Sequence, residues 1–319
     1  MKKEKYYCDS EHIEQERKVF RSWLEARKYR PGTARMHSNY AAYFLSWLES
    51  EKIEAVEAKY NDLLAFIAYL KKEGDTSRMI GQRLNSVRHY YEYLKQQGKA
   101  KENPASGLYV KSEKHRLVRE LLSKEELEYI YKNYPADDAR GKRNRIILGL
   151  LIFQALTTEE LHKLRERHLH LREGKISVPQ GSTSNGRILK LEAHQVLDLQ
   201  EYSLVIRPNI LREAEQPKRY GRKPFKAAIN SEQLLVSMNG SENIKSSLMH
   251  LIKALQKIHE GLKHGQQIRM SVITHWLKEK DLREVQYMAG FKDIESLEYY
   301  RRYNTEDLEA ELKKYHPLQ

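Results

Sequence analysis

The sequence predicts a mainly α protein in two domains, an N-terminal helical bundle followed by a larger, mostly helical domain with one small β-hairpin. Three observations carry that prediction. Apolar residues recur at helical spacing through most of the chain. A basic stretch containing Gly98, Pro104 and Gly107 interrupts them over residues 98–120. Residues 165–191 then change to the period of strands. A length of 319 residues favours two cores over one.

In the bundle, Ile80, Leu84, Val87, Tyr91 and Leu94 fall at steps of four and three, which places them along one side of a helix from Arg78 to Gln97. Arg83, Arg88 and Lys95 occupy its other sides. Upstream, "RPGTARMHSNYAAYFLSWLES" offers Thr33 as a candidate N-cap before the apolar series Tyr40, Phe44, Trp47 and Leu48. "NDLLAFIAYLKKEG" reads as a third helix with Asn61 as candidate cap and Gly74 as terminator. Because these aromatics sit among leucines at helical spacing, they read as core rather than as a base-stacking surface. The expected division is a bundle over 1–102, a basic linker over 103–119, and a second domain over 120–319. The linker's Lys111, Lys114 and Arg116 either follow a phosphate backbone or are simply solvated.

The second domain opens with Ser123 and Glu126 at capping-box spacing. "KRNRIILGLLIFQAL", which includes Lys142 and Arg143, reads as a buried helix. "GKISVPQGSTSNGRILKL" gives two β-prone runs around a polar turn containing Gly181, Asn185 and Gly186. From Glu192 the helical pattern returns, broken by "PKRYGRKPFK" at 217–226, a basic loop that is either a phosphate contact or plain solvated surface.

A formal net charge of +13 points to a polyanionic partner, and nucleic acid is the default among these. A basic surface with no ligand is the bland competitor. No stretch approaches the roughly 20 apolar residues that a bilayer requires, and the N-terminal "MKKEKYYCDSEHIEQ" has no apolar run of a secretory signal. Cys8 is the only cysteine, so an internal disulfide and a cysteine-based zinc site are excluded. A cytoplasmic location is the expectation. No cofactor and no metal are expected, since "HLHLR" at 168–172 brings no third ligand near it.

Three phrases, in order, carry a resemblance: "LNSVRHYYEYLKQQGKAKENPASGL", "LLIFQALTTEELHKLRERHLHLREGKISVPQG" and "IRMSVITHWLKEKDLREVQYMAGFKDIESLEYYRRYN". The first resembles the last helix and exit of the core-binding domain of tyrosine recombinases, the phage integrase and Xer-like family. The second is similar to the start of that family's catalytic domain, where a Thr-Gly-Leu-Arg-type phrase precedes a Glu-Leu helix and a hairpin. The third resembles its C-terminal catalytic segment, and the terminal "KKYHPL" resembles Xer-like ends. The likeness spans nearly the whole chain. It implies a SAM-like core-binding bundle, a recombinase-type catalytic domain and double-stranded DNA as partner, held between the two domains as in a clamp.

The resemblance also implies a chemistry, in which a tyrosine hydroxyl attacks a DNA phosphate and leaves a 3'-phosphotyrosyl bond. A phenol with a pKa of about 10 is a poor nucleophile at neutral pH, so the family surrounds the phosphate with two arginines, a hairpin lysine and two histidine or tryptophan positions. The nucleophile's place falls on Tyr300, nine positions after the residue following Gly290, whereas Tyr299 and Tyr303 miss that spacing. Arg269 falls on the second arginine. Thr157 stands at the first arginine, Ser182 at the hairpin lysine, Gln266 at the histidine before Arg269, and Phe291 at the position after Gly290, so four of the six positions are replaced. Removing one oriented donor from such a site costs on the order of 3 kcal/mol, although losses within one unit do not simply add.

Two readings stay open on these residues. In one, the protein is a catalytically impaired recombinase-like protein of DNA recombination or mobile-element integration, an accessory or regulatory subunit in which Arg269 positions DNA. In the other it is an active recombinase with a rearranged site, Tyr300 as nucleophile and Arg187, Lys175 or Lys190 as relocated cation. A DNA-binding regulator outside recombination is a third. Expected DNA contacts are Arg83, Arg88, Lys95, Lys111, Lys114, Arg116, Lys142, Arg143, Lys218, Arg219, Arg222, Lys223 and Lys245. "TEDLEAELKKYHP" resembles a segment that docks on a neighbouring subunit, so self-association or association with an active recombinase is expected through it.

Overall fold

A computed structural model of the chain describes residues 10–111, 121–216, 231–298 and 300–301. The chain divides into two compact units, Met1–Arg116 and Leu117–Gln319. The architecture is mainly α, with one small antiparallel sheet in the second unit.

The first unit is built from α1 (Glu11–Ala26), α2 (Pro31–Ser50), α3 (Tyr60–Lys72) and α4 (Ser77–Gln96). The five apolar positions read along the fourth helix are all buried, as are Phe44, Trp47 and Leu48 of α2. They form an aromatic core in which Phe20 meets Tyr90 edge-on at 5.3 Å and Phe44 meets Phe66 at 5.0 Å, geometries that add to the burial term of roughly 1.5–3 kcal/mol per large side chain. The two expected caps are wrong by a few residues. α2 begins at Pro31, whose missing N–H is harmless in a first turn, so Thr33 lies inside the helix. At α3 the end is closed by Asp62, which accepts from the Lys59 amide at 2.7 Å, and Asn61 is merely in the first turn. Gly74 does follow the end of α3, at φ +86°, a left-handed conformation that glycine adopts without a Cβ penalty.

The stretch assigned to a linker starts as part of this core. Ala105 and Leu108 are buried against α4, and the Arg88 guanidinium donates to the carbonyls of both, at 3.3 and 2.9 Å. Asn103 donates to the Arg88 carbonyl at 3.0 Å.

The second unit holds α5 (Lys124–Lys132), α6 (Ala139–Ile152), α7 (Thr158–Lys163), β1 (Leu169–His170), β2 (Lys175–Val178), β3 (Arg187–Lys190), α8 (Ala193–Glu201), α9 (Arg207–Glu215), α10 (Lys245–Ile258), α11 (Gly265–Glu279) and α12 (Leu282–Ala289). The Ser123–Glu126 capping box forms as read. Helix α6 is buried nearly all round, in keeping with its continuous apolar run. The hairpin pairs Val178 with Arg187 and Lys175 with Lys190, and the short β1 adds a third strand in the order β1-β2-β3. Among the described residues no helix is long and apolar enough to cross a membrane.

Candidate DNA-processing site

The site is assembled on a buried carboxylate. Thr157 caps α7 in a reciprocal box: its hydroxyl accepts from the Glu160 amide at 3.2 Å while Glu160 accepts from the Thr157 amide at 2.8 Å. The rest of the Glu160 carboxylate faces inward, taking the Ser184 hydroxyl at 2.7 Å and the Arg187 guanidinium at 2.6 and 3.3 Å. Neither side chain of this ion pair has any exposed surface. Burial alone would raise the Glu160 pKa; Arg187 above all, with the Thr157 amide and Ser184, outweighs it and holds the group below the usual carboxylate range.

Arg187 has nothing left for DNA. Its Nε donates to the Met288 carbonyl at 2.7 Å and Nη1 also reaches the Asn185 carbonyl at 3.3 Å. A Cβ added at Gly290 would lie 2.4 Å from Arg187 Nη1, so glycine at φ +73° is what lets α12 end against the guanidinium. The expectation of Arg187 as a relocated catalytic cation is therefore corrected: it is a buried strut joining α7, β3 and the end of α12. Lys175 is paired with Glu173 at 3.1 Å, and Lys190 is exposed.

Arg269, on α11, extends toward the same region and is half-buried. It donates to the carbonyl of Ala155 and, at 2.7 Å, to that of Ala289. Its guanidinium lies 5.5 Å from the centre of the Phe291 ring and hydrogen-bonds Tyr300. Burial lowers the Arg269 pKa, Glu160 and Tyr300 oppose that shift, and Arg187 reinforces it. Tyr300 is 8% exposed, with its ring 5.5 Å from that of Phe291. The structure thus brings Arg269, Phe291 and Tyr300 together. Gln266 is exposed in the first turn of α11, and the preceding His264 caps that helix by accepting from the Gln267 amide at 3.1 Å.

Ser182 sits in the hairpin turn, where its hydroxyl and amide donate to Glu159 at 2.6 and 2.9 Å. Ser182 first and Lys163 second lower the Glu159 pKa to about 2, so this carboxylate is ionised at any ordinary pH. Lys163 lies 2.9 Å from it. On the far side of the turn the Lys292 ammonium donates to the Ser182 carbonyl at 3.1 Å.

Sequence reasoning missed four participants. Glu160 was legible, because Thr157 and Glu160 have capping-box spacing. Ala155 was legible too: it occupies the glycine of the Thr-Gly-Leu-Arg-type phrase and adopts φ +49° with its carbonyl on Arg269. Glu159 and Lys292 gave no local signal, since their partner, Ser182, is 23 and 110 residues away.

Of the expected DNA contacts, Arg83 and Arg143 are corrected. Arg83 is 4% exposed, ion-paired with Asp75 at 2.7 Å and packed 4.3 Å over the Tyr43 ring. Arg143 is 2% exposed and donates to the Val236 carbonyl at 3.3 Å and to Asn144 at 2.7 Å. A guanidinium buried in this way cannot reach a backbone phosphate. Arg88 is bound to the residue 105 and 108 carbonyls, and Lys142 lies 2.6 Å from Glu201. Lys95, Lys111 and Lys245 are exposed. Lys114, Arg116, Lys218, Arg219, Arg222, Lys223 and the 305–317 segment lie outside the described residues. Among the described residues no cluster of three or more His, Cys, Asp or Glu side chains could hold a metal ion.

A helical catalytic-type domain with a three-stranded sheet, and an arginine beside a tyrosine at the end of it, defines the class of tyrosine recombinase-like proteins. The model of the phage integrase family matches residues 120–307, more than half of the chain, and the chain belongs to that family. It is similar to the tyrosine recombinase XerC of Natranaerobius thermophilus, 27% identical over 215 residues that cover 66% of this chain and 68% of the relative. XerC of Staphylococcus aureus is 21% identical over 211 residues, 65% of each chain, so the matches span about two thirds of these curated relatives' length. Solved structures share the fold. The Tn1549 transposon integrase in complex with transposon right end DNA has a TM-score of 0.63 at 15% identity, covering 94% of this chain and 99% of that one. The XerH recombinase bound to its difH substrate has a TM-score of 0.62 at 17% identity, covering 87% and 78%.

Proposed function

We propose that this protein binds duplex DNA in recombination or mobile-element integration and is catalytically impaired, acting as an accessory or regulatory subunit beside an active recombinase or a second copy of itself. The DNA part of this reading draws on the family, on the excess of basic residues and on the relatives whose structures contain DNA. The impairment rests on one observation: the guanidinium donors around Tyr300 are spent inside the protein. Arg187 is consumed by Glu160 and two carbonyls, and Arg269 holds the carbonyls of Ala155 and Ala289. At the positions where the resemblance expects further donors stand a capping threonine, a serine bound to a carboxylate, and a phenylalanine that has no hydrogen-bonding group. A transition state that spreads charge over nonbridging phosphate oxygens would find few oriented donors. Arg269 then serves to position a phosphate rather than to activate it.

The second reading, an active recombinase using Tyr300, is favoured by the Arg269–Tyr300 contact. One experiment separates the two. Duplexes selected by the purified protein from a random pool are converted to nicked suicide substrates and incubated with it. Binding with no covalent adduct is the expected result. An adduct that disappears in Tyr300→Phe would establish a live enzyme.

A further inference from the structure

Resting on the DNA-binding reading above, we infer that Lys292 supplies the phosphate-facing cation that the hairpin turn itself lacks. The turn between β2 and β3 is fastened to the segment that follows α12. The Asn185 amide donates to the Gly290 carbonyl at 2.9 Å, and Ser184 forms an antiparallel bridge with Phe291. On that frame Lys292 reaches back across the turn to the Ser182 carbonyl at 3.1 Å. An ammonium therefore stands at the residue where the resemblance calls for a lysine, but it arrives from a different part of the chain.

Its chain neighbour ties it to the tyrosine. Phe291 lies 5.5 Å from the Tyr300 ring and 5.5 Å from the Arg269 guanidinium, so Lys292 sits at the rim of the same pocket. The turn has a second lysine, Lys163, which donates to the Gln180 carbonyl at 3.3 Å. That charge is offset, because Lys163 lies 2.9 Å from the Glu159 carboxylate that also holds Ser182. Among the described residues no carboxylate pairs with Lys292, whose side chain is exposed and bound to a neutral carbonyl. It keeps a full positive charge and N–H donors directed elsewhere, which is what a compact ammonium needs to neutralise a backbone phosphate.

The test is a salt titration of binding to a mixed-sequence duplex, followed by fluorescence anisotropy. Lys292→Ala should reduce the slope of log affinity against log salt by about 0.9, the share of one phosphate contact, while Lys292→Arg retains the slope of the unaltered protein. Lys132→Ala, on the exposed pair with Glu128, should leave the slope unchanged. Adding Ser182→Lys to Lys292→Ala should restore it, since the substitution returns a cation to the same turn. An unchanged slope in Lys292→Ala, an equal loss in Lys132→Ala, or no restoration by Ser182→Lys would each overturn the inference. Failure of the unaltered protein to bind any duplex would instead remove the DNA reading, and the inference with it.

Discussion

Replacing Arg187 by methionine keeps much of the side-chain volume and removes the charge, which makes it the sharpest probe of what this guanidinium does. Both members of the Arg187–Glu160 pair have no exposed surface, and the closest contact is 2.6 Å. Breaking such a pair from one side leaves a buried carboxylate without its counter-charge, at a cost of about 3–5 kcal/mol. The carbonyls of Met288 and Asn185 also lose their donor. In a unit of about 200 residues each kcal/mol moves the melting temperature by roughly 2–4 °C, so the variant should melt roughly 6–20 °C lower. Calorimetry or urea unfolding of the full chain measures this directly. Acid should act in the same direction. Glu160 has a folded pKa below its unfolded value, so its contribution is complete above the unfolded carboxylate range near 4.3 and is lost as pH falls through the folded value. Should Arg187→Met melt with the unaltered protein while DNA affinity or adduct formation collapses, the guanidinium would be acting on DNA and the strut assignment would be wrong.

Two further outcomes can be measured on the same material. Ala155→Gly should stabilise the second unit by about 0.5–1 kcal/mol, because φ +49° strains any residue with a Cβ; a lower melting temperature would mean that the buried methyl matters more than the strain. The first unit should lose stability between pH 6.5 and about 4. His37 is buried, 2.8 Å from Ser86 and 4.9 Å from the His89 ring, and burial first, then His89, lowers its pKa to about 4. Because the unfolded chain binds that proton from 6.5 downward and the folded one does not, the loss is on the order of 3 kcal/mol and levels off below pH 4. A His37→Gln variant should flatten the profile, and one that keeps the wild-type slope would point to another group.

The sequence was most informative where structure is local. Helical spacing found the buried stripe of α4, and a capping box found the start of α5, since both depend on residues within a turn or two of each other. The hairpin was visible for the same reason. Caps at α2 and α3 were misplaced because Pro31 and Asp62 competed with Thr33 and Asn61 at almost the same spot, and propensity does not rank such neighbours. Charge was the poorest guide. Arg83, Arg143 and Arg187 look like surface cations in a basic sequence, yet each is held by partners that only folding brings close: a carboxylate and aromatic rings for the first, a carbonyl 93 residues away for the second, Glu160 for the third. Arginine lends itself to this misreading, since its long stem can be covered while five donors are satisfied internally.

The same contacts explain why the replaced positions do not look damaged. If the resemblance assigns them correctly, each substitute has taken on a structural task. Thr157 closes the first turn of α7, Ser182 ties the hairpin turn to Glu159, and Phe291 packs against Tyr300 and Arg269. A cap of this type contributes about 1 kcal/mol, and a hydrogen bond to a charged carboxylate about 1.5–3 kcal/mol, so these side chains stabilise the fold that they fail to arm. The carboxylate of Glu160 shows the same shift. In a working phosphate site a buried anion beside two arginines weakens their pull on a ligand; here it stabilises the folded domain whether or not DNA is present. Stability and catalysis ask opposite things of a guanidinium, the first that its donors be satisfied at rest and the second that they be left waiting for the transition state. Around Tyr300 the balance has moved to the first, which is why the cation with donors still directed outward is sought at the rim, on Lys292, rather than among the buried arginines.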